Sequence, residues 1–255
     1  MSKNLNGLML IKILEAQFGY LLYSKGEIKF STAKKWIDDE KKYGHGKGDQ
    51  FEAIFASTFS YDKTSNIAYK NMYSDVETER SGNFIHYRKR STLLSPATSF
   101  YLVDNQNCTC NNVKHVISEN YFKDFSNENQ KINLIDKTWK STIYIRYIHE
   151  FEKRVLKALV NIGIKEKDVI FSKIHYDARI RDVNYITMKQ PPAELFLKDC
   201  SLQHQNEWRI VINTHDPDIL NYLECTPIRV GSISDISKIE YKVSKNDKEV
   251  VYIKK

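Results

Sequence analysis

The stretch from Phe196 to Asn213, FLKDCSLQHQNEWRIVIN, constrains this chain more than any other. Gln205, Glu207 and Arg209 alternate there with Asn206, Trp208 and Ile210, and the run ends in Val211 and Ile212. Side chains along a strand point to opposite faces in turn. Read as one strand, the segment sets an amide, a carboxylate and a guanidinium on one face and a Trp on the other. The plain reading is a half-exposed edge strand with Glu207 and Arg209 in water. The sharper reading is a polar site carried on a rigid element, with Trp208 as the core anchor behind it.

The rest of the chain can supply that core. With 255 residues, 41% hydrophobic and 12% aromatic, it is expected to fold, as one domain over residues 1–255. No apolar run approaches the roughly 18 residues of a membrane span. The stretch Leu8 to Leu14 is broken by Lys12 and has no small-residue cleavage site after it, so a signal peptide is not expected. A soluble, cytoplasmic protein without membrane contact is the expectation. Cysteines stand at 108, 110, 200 and 225. The one close pair, Cys108 and Cys110, lacks the second pair that a zinc site requires, so no metal is expected.

The net charge of +7 favours an anionic partner. Arg88, Lys89 and Arg90 follow Phe84 and Tyr87, a mixture of cations and rings used by single-strand binders, and Arg179 and Arg181 form a second cluster. A solvated basic face is the alternative for both.

Along the chain, apolar residues at 10, 11, 14, 18, 21 and 22 match helical spacing over Leu8 to Tyr23. Gly26 turns into a short strand over Glu27 to Phe30, and Ser31 or Thr32 caps a helix over Ala33 to Tyr43. The loop Gly44 to Gly48 lacks the Lys-Ser/Thr of a phosphate-binding loop. Strands are expected at 53–59, 83–88, 98–103, 113–117, 141–147 and 169–176, with an amphipathic helix over Glu150 to Asn161. Two or three short elements complete residues 228–253. The fold class is α+β with predominantly antiparallel strands.

Several of these pieces resemble a bacterial and phage family. Gly26-Glu-Ile-Lys-Phe30, Trp36 and Gly48-Asp-Gln-Phe-Glu52 look like its G-E-L-x-F strand, aromatic-bearing helix and R-G-D-x-x-E-G turn. Lys198, Leu202, Gln205, Glu207, Trp208, Arg209 and Ile210 follow its K-x-x-x-F-x-x-Q-x-E-W-R-I register, and Val230 to Ile236 its I-G-S-L-x-D-I. Ala53 stands where the pattern has Gly, and Lys47 where it has Arg. That family is similar to the ADP-ribosyltransferase superfamily, so the resemblance implies that fold, with NAD as substrate. It implies Glu207 as the catalytic carboxylate and Gln205 as the residue orienting the acceptor, a protein or a nucleic acid. NAD-binding positions would fall to Lys12, Ser31 and Thr32 early in the chain and to Tyr101 or Ser141 in its middle. A phage, toxin or defence setting follows from the resemblance alone.

The residues admit other chemistries. Asp49 and Glu52 with Lys47 could form a divalent-metal site for phosphodiester cleavage, but a turn of this kind more commonly bonds backbone amides. His45, His86, His175 and His204 could act as acid or base, yet no His-carboxylate-nucleophile set is visible. The alternative to an enzyme is a module that binds nucleic acid or a nucleotide-derived ligand through a basic face.

Overall fold

The computed structural model describes residues 7–43, 51–104, 108–111, 114–117, 140–178, 192–241 and 250–251. Its centre is a seven-stranded antiparallel sheet. The main strands are β1 (Gly7–Glu15), β7 (Pro96–Asp104), β10 (Lys140–Ile145), β11 (Val169–Lys173), β14 (Glu207–Ile212) and β16 (Ser237–Glu240). They lie in the order β11-β14-β7-β1-β10-β16, and the short β3 (Ser31–Thr32) pairs β7 at its Pro96 end. The strands expected around Gln205 and Ser141 therefore share one sheet.

One face of the sheet carries Leu10, Phe100, Leu102, Ile143, Trp208 and Ile210. Packed in the same core are α1 (Ala16–Lys25), α5 (Ile148–Asn161) and α6 (Pro217–Cys225), through Leu22, Phe151, Val155 and Leu223. The spacing of Ile148, Phe151, Val155 and Leu159 buries one stripe of α5. The opposite face carries Met9, Ile11, Val103 and Tyr144. Towards the β3 end it carries Ala97 and Val211, which meet Ala33 and Ile37 of α2 (Ala33–Tyr43).

The expected helix over Leu8 to Tyr23 is corrected: a strand runs to Glu15 and only then does α1 begin. β1 lies between β7 and β10 and is covered on both faces. Such a strand is apolar at successive positions, which hides the period of two that would mark it.

A pair of short strands, β2 (Glu27–Ile28) and β15 (Ile228–Arg229), joins the chain's early and late parts. Gly26 ends α1 at φ +64°, and a Cβ there would lie 2.1 Å from the Gly231 carbonyl oxygen. Glycine is demanded twice over, by the left-handed backbone and by the close approach.

A second sheet has the order β4 (Ile54–Phe59), β6 (Phe84–Lys89), β5 (Val76–Ser81). It carries α3 (Lys63–Lys70), and α4 (Arg90–Leu94) leads from it into β7. β8 (Cys108–Asn111), β9 (Lys114–Ile117) and β17 (Val250–Val251) form a third sheet. The parallel pair β12 (His175–Tyr176) and β13 (Leu197–Lys198) lies against the start of β14. The molecule is mixed α and β with mainly antiparallel sheets. Among the described residues no helix is long and apolar enough to cross a membrane.

Candidate functional site

The segment Phe196 to Asn213 is not one strand. Asp199 accepts the Ser201 amide and starts a 3-10 turn over Cys200–Gln205. Asn206 then takes φ +40°, a left-handed conformation that Asn tolerates. Its side chain donates to the Leu102 carbonyl at 2.5 Å and to Asp104 at 3.3 Å. The strand begins only at Glu207, so alternation places Glu207 and Arg209 on one face but not Gln205. Gln205 reaches the same place from the turn.

Lys198 joins them. Its Nζ donates to Gln205 Oε1 at 3.0 Å and to Glu207 Oε1 at 2.5 Å. The other carboxylate oxygen of Glu207 accepts from Arg209 at 3.0 and 3.2 Å. Arg209 in turn forks onto Glu52, at 2.8 and 2.5 Å, and donates to the Leu195 carbonyl and Ser99 Oγ. Trp36 of α2 lies over the guanidinium at 4.8 Å. Two carboxylates and two cations thus form one buried, formally neutral cluster. The edge-strand reading, with Glu207 and Arg209 in water, is ruled out by their 8% and 1% exposure.

Burial alone would push the Glu207 carboxyl up, but the Lys198 and Arg209 charges outweigh it and hold it down at about 2. The group is therefore ionised at neutral pH. Burial opposes the Arg209 charge as well, and Glu52 and Glu207 together raise its pKa above the ordinary arginine value. Tyr176 accepts the Glu207 amide on its hydroxyl at 2.9 Å. Burial, followed by the Glu207 charge, keeps that phenol protonated well above its usual range.

Behind the cluster Trp208 is fully buried, stacked on Phe171 and edge-on to Phe100. A core anchor was the expectation for it. Tyr101 pairs directly with Glu207 across β7 and β14, so it stands beside the carboxylate.

The other expected positions do not converge here. Lys12 shares the Trp208 face: it pairs Ile143, donates to Thr98 Oγ1 and the Ser99 carbonyl, and sits over the Phe100 ring. Burial lowers its pKa to about 8, with the Glu207 charge pulling the other way. Ser141 faces α1 on that same side, donates to the Leu14 carbonyl and is three strands from β14. Ser31 pairs Ala97 while Glu207 pairs Tyr101, four residues further along β7, or about 13 Å. Thr32 spends its hydroxyl on the Lys35 amide as the α2 cap.

The basic face is also corrected. Arg88 and Lys89 are 4% and 2% exposed. Arg88 binds the Glu52 carbonyl and Glu79, and Lys89 pairs with Glu194 between the rings of Phe55 and Tyr73. Cations committed to buried partners cannot meet phosphates. Arg90 alone of the three is exposed, 3.9 Å from Glu77. Arg179, Arg181, Lys47 and Asp49 lie outside the described residues.

No group of acids, histidines and cysteines arranged to hold a metal occurs among the described residues. Glu52, a candidate metal ligand by its sequence, is instead the forked partner of Arg209. His86 bonds Ser57 in the core, where burial and the Arg88 charge lower its pKa to about 4. A neutral core histidine follows. His175 is exposed, His204 lies 3.2 Å from the Ser201 carbonyl oxygen, and His45 lies outside the described residues.

Sequence reasoning assigned no role to Lys198 or Tyr176. Lys198 stood in the quoted register and could have been found from it; Tyr176 left no signal. Ala53 has φ +59°, a left-handed backbone that glycine adopts more readily. No protein-family model, no curated protein and no solved structure matches this chain.

Proposed function

We propose that this chain is an ADP-ribosyltransferase-like protein that takes NAD at the Gln205–Glu207 corner. It would transfer ADP-ribose to a macromolecule or to water. The observation that supports the reading best is Glu207: a carboxylate at the first residue of a core strand, held ionised by two cations, with Gln205 and Tyr101 beside it. Breaking the bond between the nicotinamide nitrogen and the ribose C1′ releases neutral nicotinamide and leaves positive charge on the ribose. A fixed carboxylate on the ribose hydroxyls stabilises that charge as it develops. Lys198 donates to both Gln205 and Glu207, so it sets the position of one against the other. For a ribose hydroxyl to reach Glu207, Lys198 has to give up its contact with Oε1. The acceptor nucleophile then forms the new bond to C1′ and loses its proton.

One observation favours a second reading. Both oxygens of Glu207 already have cationic partners, as in a cluster that holds the fold together and leaves binding to another surface.

Nicotinamide release and NAD calorimetry separate the two. The enzyme reading expects turnover by the wild type and a loss of roughly 100-fold or more in Glu207→Gln. It expects Gln205→Ala to retain NAD cleavage and lose transfer to the acceptor. Neither NAD binding nor turnover by folded wild-type protein, with candidate protein and nucleic-acid acceptors present, would leave the binding-module reading.

A further inference from the structure

The second sheet holds a buried histidine that the Glu207 site does not use, and its charged neighbours lead to that site. Ser57 of β4, His86 of β6 and Glu79 of β5 pair directly across the three strands. Residues paired in this way put their side chains on one face, so the three form a row. The Ser57 hydroxyl lies 2.9 Å from His86 Nδ1, and the Phe51 ring meets the imidazole edge to face at 5.6 Å. Ser57 and His86 are both buried. Nε2 of His86 has no hydrogen-bond partner among the described residues.

The charged groups around the imidazole are poorly placed to receive another cation. Arg88 stands two residues along β6 on the same face, and its Nη1 donates to Glu79 at 2.7 Å. Lys41 of α2 holds the other oxygen of Glu79. Glu77, the next β5 residue on that face, pairs Arg88 in the ladder and lies 3.9 Å from Arg90. A proton on His86 therefore faces the Arg88 guanidinium and finds the nearest carboxylate already shared by two cations. Burial and then the Arg88 charge lower the His86 pKa to about 4, against the pull of Glu79. An imidazolium formed there has to draw Glu79 from Arg88 or open the sheet to water. Arg88 Nε also donates to the Glu52 carbonyl at 2.8 Å. The Glu52 side chain forks onto Arg209, which binds Glu207. Two arginines and one glutamate thus join the row to the ion cluster.

We propose that His86 is a proton-operated latch: neutral, it keeps the second sheet closed, and protonated in mild acid, it displaces Arg88 and loosens the hold of Glu52 on Arg209. The unfolded chain takes up this proton from about 6.5 downward and the folded chain only near 4. The contribution of His86 to stability is therefore complete above about pH 6.5 and is lost as pH falls through that interval. Glu207 titrates lower, at about 2, so the two effects are separable. No step requires NAD.

Hydrogen exchange of the full-length chain at about pH 7 and about pH 5, corrected for intrinsic exchange rates, tests it. In the wild type the amides of β4 and β6 should open on the order of tenfold more at the lower pH, and those of β14 with them. His86→Gln keeps a hydrogen-bonding side chain that does not titrate, so that difference should be lost. Should the variant fail to fold, NMR of the wild type carries the test. The His86 ring and the Arg209 Nε–H signals should then move together, with a midpoint well below the ordinary 6.5. Four results would each overturn the proposal. They are no acid opening in the wild type, an equal response in His86→Gln, opening of β4 and β6 that leaves β14 unchanged, or a His86 ring that titrates at its ordinary value while the Arg209 signal stays still. None of these readouts depends on NAD turnover, so failure here is distinct from failure of the NAD reading.

Discussion

Glu52→Gln isolates the energetic role of burial in this protein, because the described residues include two forked arginine–carboxylate pairs in opposite surroundings. Arg209 binds Glu52 at 2.8 and 2.5 Å with both side chains 1% exposed. Arg154 binds Asp235 at 2.9 and 2.6 Å, with the Asp235 side chain 59% exposed. Distance does not distinguish them; desolvation does. In Glu52→Gln the Arg209 charge stays buried with one carboxylate, Glu207, in place of two. Removing one partner of a buried pair costs about 3–5 kcal/mol, since the remaining charge is left short of compensation. With a urea m-value of about 3 kcal/mol per molar, the midpoint should fall by roughly 1–1.7 M. Asp235→Asn should leave the midpoint unchanged within error, because water replaces the exposed contact. Replacing Arg209 as well, in Glu52→Gln with Arg209→Met, should recover part of the loss, and a double-mutant cycle reads that coupling. Equal midpoint shifts for Glu52→Gln and Asp235→Asn would refute the reasoning, since geometry and not burial would then set the energy.

Three further outcomes are expected. Glu207 has a folded pKa of about 2, below its ordinary 4.5, so its stabilisation is fully present above about pH 4.5 and is lost as pH falls towards 2. Urea midpoints of wild type and Glu207→Gln should accordingly converge over that window. Lys12 is lowered from 10.5 to about 8; the unfolded chain binds more protons between those values, so its contribution to stability rises with pH from about 8 to 10.5. That rise should be absent in Lys12→Met. Gly26→Ala should unfold the protein at a much lower temperature than Gly82→Ala: both have positive φ, but a Cβ at Gly26 strikes the Gly231 carbonyl while one at Gly82 meets nothing within 4 Å. Equal melting temperatures would show that the Gly26–Gly231 approach carries no weight.

The elements legible beforehand were those whose residues vary with position along them. The stripe of α5, the Thr32 cap of α2 and the alternation of Glu207, Trp208 and Arg209 each give a local period or a local bond. The strand β1 was misread because a strand buried on both faces shows no period at all. Gln205 was placed on the strand because Asp199 and Asn206, which stop and turn the chain, look like ordinary polar residues until their backbone partners are known.

Sequence by itself determined that Glu207 and Trp208 face opposite ways, since strand stereochemistry alone requires it. Only the tertiary structure decided which charges are buried. Arg209 meets Glu52 across 157 positions, and Lys89 meets Glu194 across 105. Whether a charged side chain is solvated or locked depends on the partner that long-range folding brings to it. For that reason Arg88 and Lys89 read as a surface while forming part of the interior.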